Sequence, residues 1–326
     1  MKILGMGNAL VDIMTQLNDD IILDKFNLPK GSMTLVDREL SNYIHIETAG
    51  LSKTKASGGS AANTIHGLAH LGSDVSFIGK IGRDDMGRFF KRDMEINNVK
   101  PILYSSITDT GRAVALVSQD SERTFATYLG AAVELSEEDI TSDIFTDYDV
   151  FYIEGYLINN LPLINKALRL AHGKGLKTCI DLASFNIVEQ YKEALHAEIR
   201  DNVDIIFANE EEARAFTGLE PEDALDVLCG MCEIAIVKTG SKGSLIGRGQ
   251  ERIAVPALRV NSIDTTGAGD LYAAGFLYGL SRNQPLKTCG ETGTILAANV
   301  IEVIGAKMKE STWENIRREI NLLNKK

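Results

Sequence analysis

Residues 149–181 read DVFYIEGYLINNLPLINKALRLAHGKGLKTCID. An unbroken apolar run, DVFYI (149–153), leads into Pro162–His172, where Ala, Leu and Ile recur on one helical face, and then into a second run, KTCID (177–181). A strand buried on both faces loses its polar alternation, and two strands joined through a helix run parallel. Pro162 suits a first helical turn and Gly173 the stop after it. The rhythm continues in VDIIF (203–207) and IAIVK (234–238). Nearer the start, KILGM (2–6) and VSFIG (75–79) flank a helix expected over Ser60–Leu71. Together these predict an α/β fold built on a doubly wound, mostly parallel sheet.

Two regions break the rhythm. Residues 13–36 and 101–128 hold short strand-like pieces (IMTQL, SMTLV, AVALV, RTFATY) without helices between them. Their alternation predicts a small antiparallel sheet with one solvated face. Lying inside the βα series, they read as a lid inserted into one domain spanning 1–326. An exposed lid edge could pair with a second copy, so a monomer or a homodimer through the lid is expected. Residues 310–326 read as a closing amphipathic helix with a basic end.

The 326 residues carry 34 Lys plus Arg against 45 Asp plus Glu, a formal charge of −11, with 44% hydrophobic and 24% charged residues. The acidic balance speaks against nucleic acid, which needs a basic field to displace condensed counterions. The longest nearly apolar run, Leu271–Leu280, falls far short of the roughly 20 residues of a membrane span. The opening MKILGMGNALVD has no small-x-small cleavage site and reads as a strand entering a turn. Four cysteines are too few for a disulfide framework in a chain of this length. A cytoplasmic enzyme is expected.

Two glycine-containing stretches carry the chemistry. In Asp264-Thr265-Thr266-Gly267-Ala268-Gly269-Asp270 the backbone can approach a ligand closely, and the apolar segment LYAAGFLYGL after it reads as a buried helix. Free N–H groups and the dipole at that helix start make an anion hole. Asp270 at its mouth would repel a phosphate unless it takes a proton from an attacking hydroxyl. A simple helix cap would use the same residue types. In Ser57-Gly58-Gly59-Ser60-Ala61-Ala62-Asn63-Thr64, paired glycines again enter a helix, with Asn63 offering donor and acceptor.

Gly58-Gly59-x-x-x-Asn63 followed late in the chain by Asp264-Thr265-x-Gly267-Ala268-Gly269-Asp270 resembles the two signatures of the ribokinase (PfkB) family of carbohydrate and nucleoside kinases. The likeness runs on through Gly72 and Gly82 and covers nearly the whole chain. It implies ATP-dependent phosphorylation of a hydroxymethyl group, with Asp270 as base and Gly267, Ala268 and Gly269 as the anion hole. It implies that Asn209 and Glu212, in NEEE, position Mg2+ and phosphate, Glu212 through water. Lys238, Thr239, Gly240 and Gly243 match the nucleotide-binding segment after a strand, and Asn299 falls where the family closes over adenine. Asp264 and Thr266 match positions that bind a monovalent cation, K+, in some members.

For the acceptor, Asn8 and Asp12 in GMGNALVDI match the place where the family grips sugar hydroxyls, and a carboxylate suits a vicinal diol. Gly58, Gly59, Asn63 and Glu154 join them as candidate substrate residues. Asn8 lies four residues before Asp12, a spacing similar to adenosine kinases; LDKFNL (23–28) and DVFYIEGYL point the same way. A small nucleoside, adenosine-like, is therefore expected. The alternative is a sugar or sugar acid such as ribose, fructose or ketogluconate, which the carboxylate of Glu154 also suits.

Arg112 and Arg123 could meet an acidic substrate group or serve as solvated strand charge. Gly5-x-Gly7-x-x-Leu10 lacks the third glycine of a dinucleotide fingerprint, so an NAD-dependent oxidoreductase is a remote alternative. Cys229-x-x-Cys232, expected within a helix, has no second pair to hold zinc. His66 and His70 share a helix face without a metal-binding HExxH. No G-x-x-x-x-G-K-[ST] is present, which excludes a P-loop.

Overall fold

The structure, a computed structural model, describes residues 1–120 and 122–323. Its strands begin with β1 (Lys2–Met6), β2 (Leu10–Gln16), β3 (Met33–Leu35), β4 (Lys53–Gly58), β5 (Asp74–Gly82), β6 (Val99–Ser106) and β7 (Gly111–Val117). They continue with β8 (Arg123–Tyr128), β9 (Val150–Glu154), β10 (Lys177–Asp181), β11 (Ile205–Asn209), β12 (Ile234–Lys238), β13 (Ser244–Arg248) and β14 (Glu251–Val255). The helices of the first half are α1 (Ile21–Lys25), α2 (Arg38–Glu47), α3 (Ser60–His70), α4 (Asp85–Ile96) and α5 (Leu161–Gly173). The rest are α6 (Phe185–Asn202), α7 (Glu210–Thr217), α8 (Pro221–Cys229), α9 (Ala268–Ser281), α10 (Leu286–Val300) and α11 (Glu310–Leu323).

Nine strands form the larger sheet in the order β14-β13-β12-β11-β10-β9-β1-β5-β6. From β12 to β6 every pairing is parallel; β13 and β14 close one edge antiparallel. The central strands are buried on both faces, which is why their sequences do not alternate. One apolar layer joins α3, α4, α9, α10 and α11 to the sheet, and a second joins α5 to α8 on the other face. Apolar all round, α9 is accordingly buried along its length. β1, β10, β12, α3 and α5 lie where the sequence pattern put them.

The smaller sheet has the order β3-β8-β7-β2-β4 and differs from expectation in three ways. It is mixed rather than antiparallel, since β2 pairs parallel with β7 and β3 with β8. Residues 101–106 belong to β6 at the edge of the larger sheet, and β4 supplies an unanticipated fifth strand. Two helices, α1 and α2, lie between its strands. The strands were too short and too near other elements for alternation to assign partners. β3 and β4 are its edges.

Smaller differences are local. Gly173 is the last residue of α5, and the chain turns away at Lys174 and Gly175, the latter at φ +81°. Cys229 ends α8 and Cys232 lies beyond it; both are free. The basic end expected for the closing helix, Lys325 and Lys326, lies outside the described residues. Among the described residues no helix is long and apolar enough to cross a membrane.

Candidate active site

Carboxyl ends of the parallel strands gather the polar residues, as in open α/β sheets generally. Ahead of α9 the chain is folded around Asp264, which is 4% exposed. Its carboxylate accepts the N–H of Thr266 at 2.9 Å and of Gly305 at 2.6 Å, and pairs with the guanidinium of Arg123 at 2.6 Å. Gly267 then caps α9 at φ +77°, where a side chain would be strained and its Cβ would lie 2.7 Å from that of Ala306. The N–H groups of Gly269 and Asp270 in the first turn find no acceptor among the described residues. Free N–H groups at a helix start are the donors an anion would use.

Asp270 is held by α3. Ser60 Oγ donates to its Oδ1 at 2.7 Å and Asn63 Nδ2 to its Oδ2 at 3.0 Å, while Thr64 Oγ1 donates to its backbone carbonyl at 3.1 Å. Burial raises the Asp270 pKa to about 6, against the pull of the Ser60 and Asn63 hydrogen bonds. The carboxylate is therefore ionised at neutral pH yet basic enough to take a proton.

The glycine pair before α3 is required by contact. Gly59 sits at φ +103° with the carbonyl of Asn8 where a Cβ would be, and a Cβ on Gly58 would overlap the carboxylate of Asp12. Asp12 is a half-buried residue of β2 rather than a turn residue. Burial lifts its pKa to about 7, opposed by the charge of Lys307 and reinforced by Asp270. Asn8 is 7% exposed, and its N–H and side-chain amide both donate to Glu154 Oε1, at 2.9 and 2.7 Å. Glu154 Oε2 accepts the N–H of Ala61 at 2.8 Å. Glu154 is 1% exposed, so it lies beneath the site and orients Asn8 and the start of α3 instead of lining the pocket. Burial pushes its pKa up to about 7.

On the other side of Asp270, Lys238 at the end of β12 pairs with Asp181 at the end of β10 at 2.9 Å. Burial opposes its charge, but Asp181 and Glu212 more than compensate and its pKa is raised. Gly269 permits this approach: a Cβ there would stand 3.1 Å from Lys238 Nζ. Asn209 caps α7, and Glu212 returns both oxygens to the N–H and amide of Asn209 at 2.8 and 2.7 Å. Burial raises the Glu212 pKa to about 7 against the pull of Lys238.

After β12, Thr239 N–H bonds to the carbonyl of Gly243 at 2.8 Å, with Gly240 and Gly243 both at positive φ. A cleft of about 320 Å³ opens beside this turn, lined in part by Thr239, Lys242, Ser244 and Val255. Asn299 is on α10, where its amide donates to the carbonyl of Ile295 at 2.9 Å.

Several expectations are corrected here. Asp264 does not fit a monovalent cation, because Arg123 already neutralises it. Neither arginine is solvated strand charge: Arg123 is buried in that pair, and Arg112, 8% exposed, donates to Ser41 Oγ at 2.7 Å and lies over the Tyr128 ring. His70 stacks on Trp313 and His66 is sealed beside it, a packing role. Gly5 and Gly7 lead from β1 into β2, not into a helix, so the strand-turn-helix of a dinucleotide site is absent there.

Sequence reasoning missed three participants. Ser60 stood unmarked inside a quoted motif. Asp181 had a signal, an acidic residue ending a parallel strand. Lys307, in VIGAKMK, had none: it is one of two lysines in the stretch, and nothing in the sequence separates it from Lys309.

Residues 33–313 match the pfkB family carbohydrate kinase profile. A probable sugar kinase from Rhizobium etli CFN 42 superposes with a TM-score of 0.87 at 35% identity over 98% of both chains. The adenosine kinase from Sinorhizobium meliloti gives 0.86 at 35% identity over 98% of this chain and 99% of its own. A nucleoside kinase of Methanocaldococcus jannaschii is 28% identical over 81% of this chain and 85% of its own. The chain belongs to the PfkB family and is a kinase of that family. Kinases of this family use ATP.

Proposed function

We propose that the chain transfers the γ-phosphoryl group of ATP to the hydroxymethyl group of a nucleoside, adenosine-like, held between the two sheets. The observation that carries this reading is Asp270: a carboxylate of raised pKa, oriented by Ser60 and Asn63, beside the unpaired N–H groups that open α9. Asp270 takes the hydroxyl proton as the oxygen attacks phosphorus. The free N–H groups of Gly269 and Asp270, with the helix dipole behind them, stabilise the transferring group; Gly267 sets the turn that exposes them, while the Ala268 N–H is taken by the carbonyl of Thr265 and does not contribute. Lys238, held by Asp181, stands beside Gly269 at the same mouth and places its N–H donors there. The smaller sheet acts as a lid, and water excluded by it cannot compete as acceptor.

Asp12 reads the acceptor's hydroxyls, with Asn8, Gly58, Gly59 and Asn63 shaping the pocket around it. ATP lies along the 239–243 turn, with Asn299 toward its base. Mg2+ supplies charge neutralisation at the phosphates; Glu212 and Asn209, already bonded to each other, suit a hydrated ion held through water. The nucleoside assignment rests on the Asn8–Asp12 spacing and on the 35% identity to an adenosine kinase. A sugar acceptor is the second reading, favoured by the equal identity to a probable sugar kinase.

A coupled ADP-release assay with ATP and Mg2+ over adenosine, other nucleosides, ribose, fructose and ketogluconate tests it. Turnover of adenosine or another nucleoside is expected. Turnover of a sugar alone keeps the kinase and overturns the nucleoside assignment.

A further inference from the structure

Lys307 lies in the loop 301–309, two residues past the Gly305 N–H that Asp264 holds and next to Ala306, which packs on Gly267. Its Nζ is sealed from solvent and, among the described residues, has no hydrogen-bond partner. The charges of three carboxylates on three elements act on it: Asp12 on β2, Asp93 on α4 and Asp270 on α9. It makes an ion pair with none of them. His66 and His70 on α3 also feel its charge; burial lowers the pKa of each, well below the usual histidine value for His66.

A buried ammonium ordinarily collapses onto the nearest carboxylate, because leaving its donors unmade is costly. Here Asp93 is already engaged by the N–H of Ser57 at 2.8 Å, and Asp270 by Ser60 and Asn63. Two further buried atoms near this cluster are unpartnered: Ser57 Oγ, next to Gly58, and Asn63 Oδ1, the free end of the amide that holds Asp270. Donors and acceptors left together in this way match a ligand surface that offers both, as a hydroxyl-bearing ring does.

We propose that Lys307 is a substrate-binding residue, its ammonium donating a hydrogen bond to a ring hydroxyl of the acceptor that Asp12 grips from the other side. This deepens the function proposed above and rests on the acceptor lying between Asp12 and Asp270. Shared between an ammonium and a carboxylate, that hydroxyl is recognised as donor and as acceptor at once, which selects for polyhydroxylated acceptors. The same charge favours the ionised form of Asp12.

The test compares Lys307→Met and Lys307→Gln with the unaltered protein, using the acceptor turned over fastest and its deoxy analogues. Both variants should lower kcat/KM by about 10- to 100-fold, the worth of a charge-assisted hydrogen bond, mostly through KM. The loss should vanish for the deoxy analogue that lacks the contacted hydroxyl. With the ammonium gone, the acid limb of the kcat/KM profile should move to higher pH. A loss equal on every analogue with an unmoved acid limb would reduce Lys307 to a structural role and overturn the proposal, as would unchanged kinetics. Lys307→Gln keeps the test open if Lys307→Met does not fold. Asp270→Asn separates the two failures: normal turnover in that variant overturns the reading of the whole site, whereas its loss beside unaffected Lys307 variants overturns Lys307 alone.

Discussion

Two lysines flank the start of α9, and their surroundings differ. Lys238 touches Asp181 at 2.9 Å, with Glu212 and Asp270 nearby, and its pKa is raised. Lys307 feels the charges of carboxylates but pairs with none, and burial lowers its pKa to about 8. The first charge is committed within the protein before any ligand arrives, so the phosphate side of the site is organised in advance. The second is left with its donors free, on the side where the acceptor is proposed to bind. Side chains that are satisfied hold a fold together, while side chains left unsatisfied in a buried place mark where something else must fit.

The sharpest way to break this contrast is stability. Lys238→Met strands Asp181 in a buried position and should cost about 3–5 kcal/mol in chemical denaturation, the usual penalty for removing one partner of a buried pair. Lys307→Met removes no contact made within the protein and should cost much less; equal losses would erase the distinction.

Next in size is the pH dependence of turnover. Asp12 must be ionised to grip the acceptor and Asp270 to act as base, so kcat/KM should begin to fall as pH drops through about 7 and steepen below about 6, exceeding roughly tenfold per unit there. A profile flat down to pH 5 would contradict the raised pKa.

A weaker slope concerns folding. Glu154 has a folded-state pKa of about 7 against an ordinary 4.5, so between those values the folded protein binds more protons than the unfolded chain. Its contribution to stability is therefore greatest below pH 4.5 and declines as pH rises through 7. Melting curves of Glu154→Gln should show a flatter pH dependence over that window than the unaltered protein. The smallest effect expected is none: because Arg123 occupies Asp264, exchanging K+ for Na+ should leave turnover unchanged, and strong activation by K+ would contradict that pairing.

The larger sheet could be read from the chain because its strands obey one simple condition, burial on both faces, and runs such as KTCID and IAIVK express it directly. The smaller sheet could not, since β6 and β7 follow one another closely and only tertiary packing sends them to different sheets. The site divides in a similar way. Gly58, Gly59 and Gly267 act through backbone geometry and close approach, and Asn63 and Asp270 through side chains set at fixed places on the helices those glycines open, which leaves a motif. Asp181 and Arg123 act through partners 57 and 141 residues away in sequence at Lys238 and Asp264, and Lys307 is 295 residues from Asp12, whose charge acts on it; no local pattern marks such distant relations. Glu154 was legible as a carboxylate at a strand end, but not that Asn8 and Ala61 would use up its oxygens.

The steady-state kcat of Asp270→Asn with ATP, Mg2+ and the best acceptor tests the proposed mechanism most directly. Asparagine keeps the shape of the side chain but cannot accept the proton, so kcat should fall by roughly 10²–10⁴ while the protein stays folded. A folded variant that turned over at a near-normal rate would show that Asp270 is not the base.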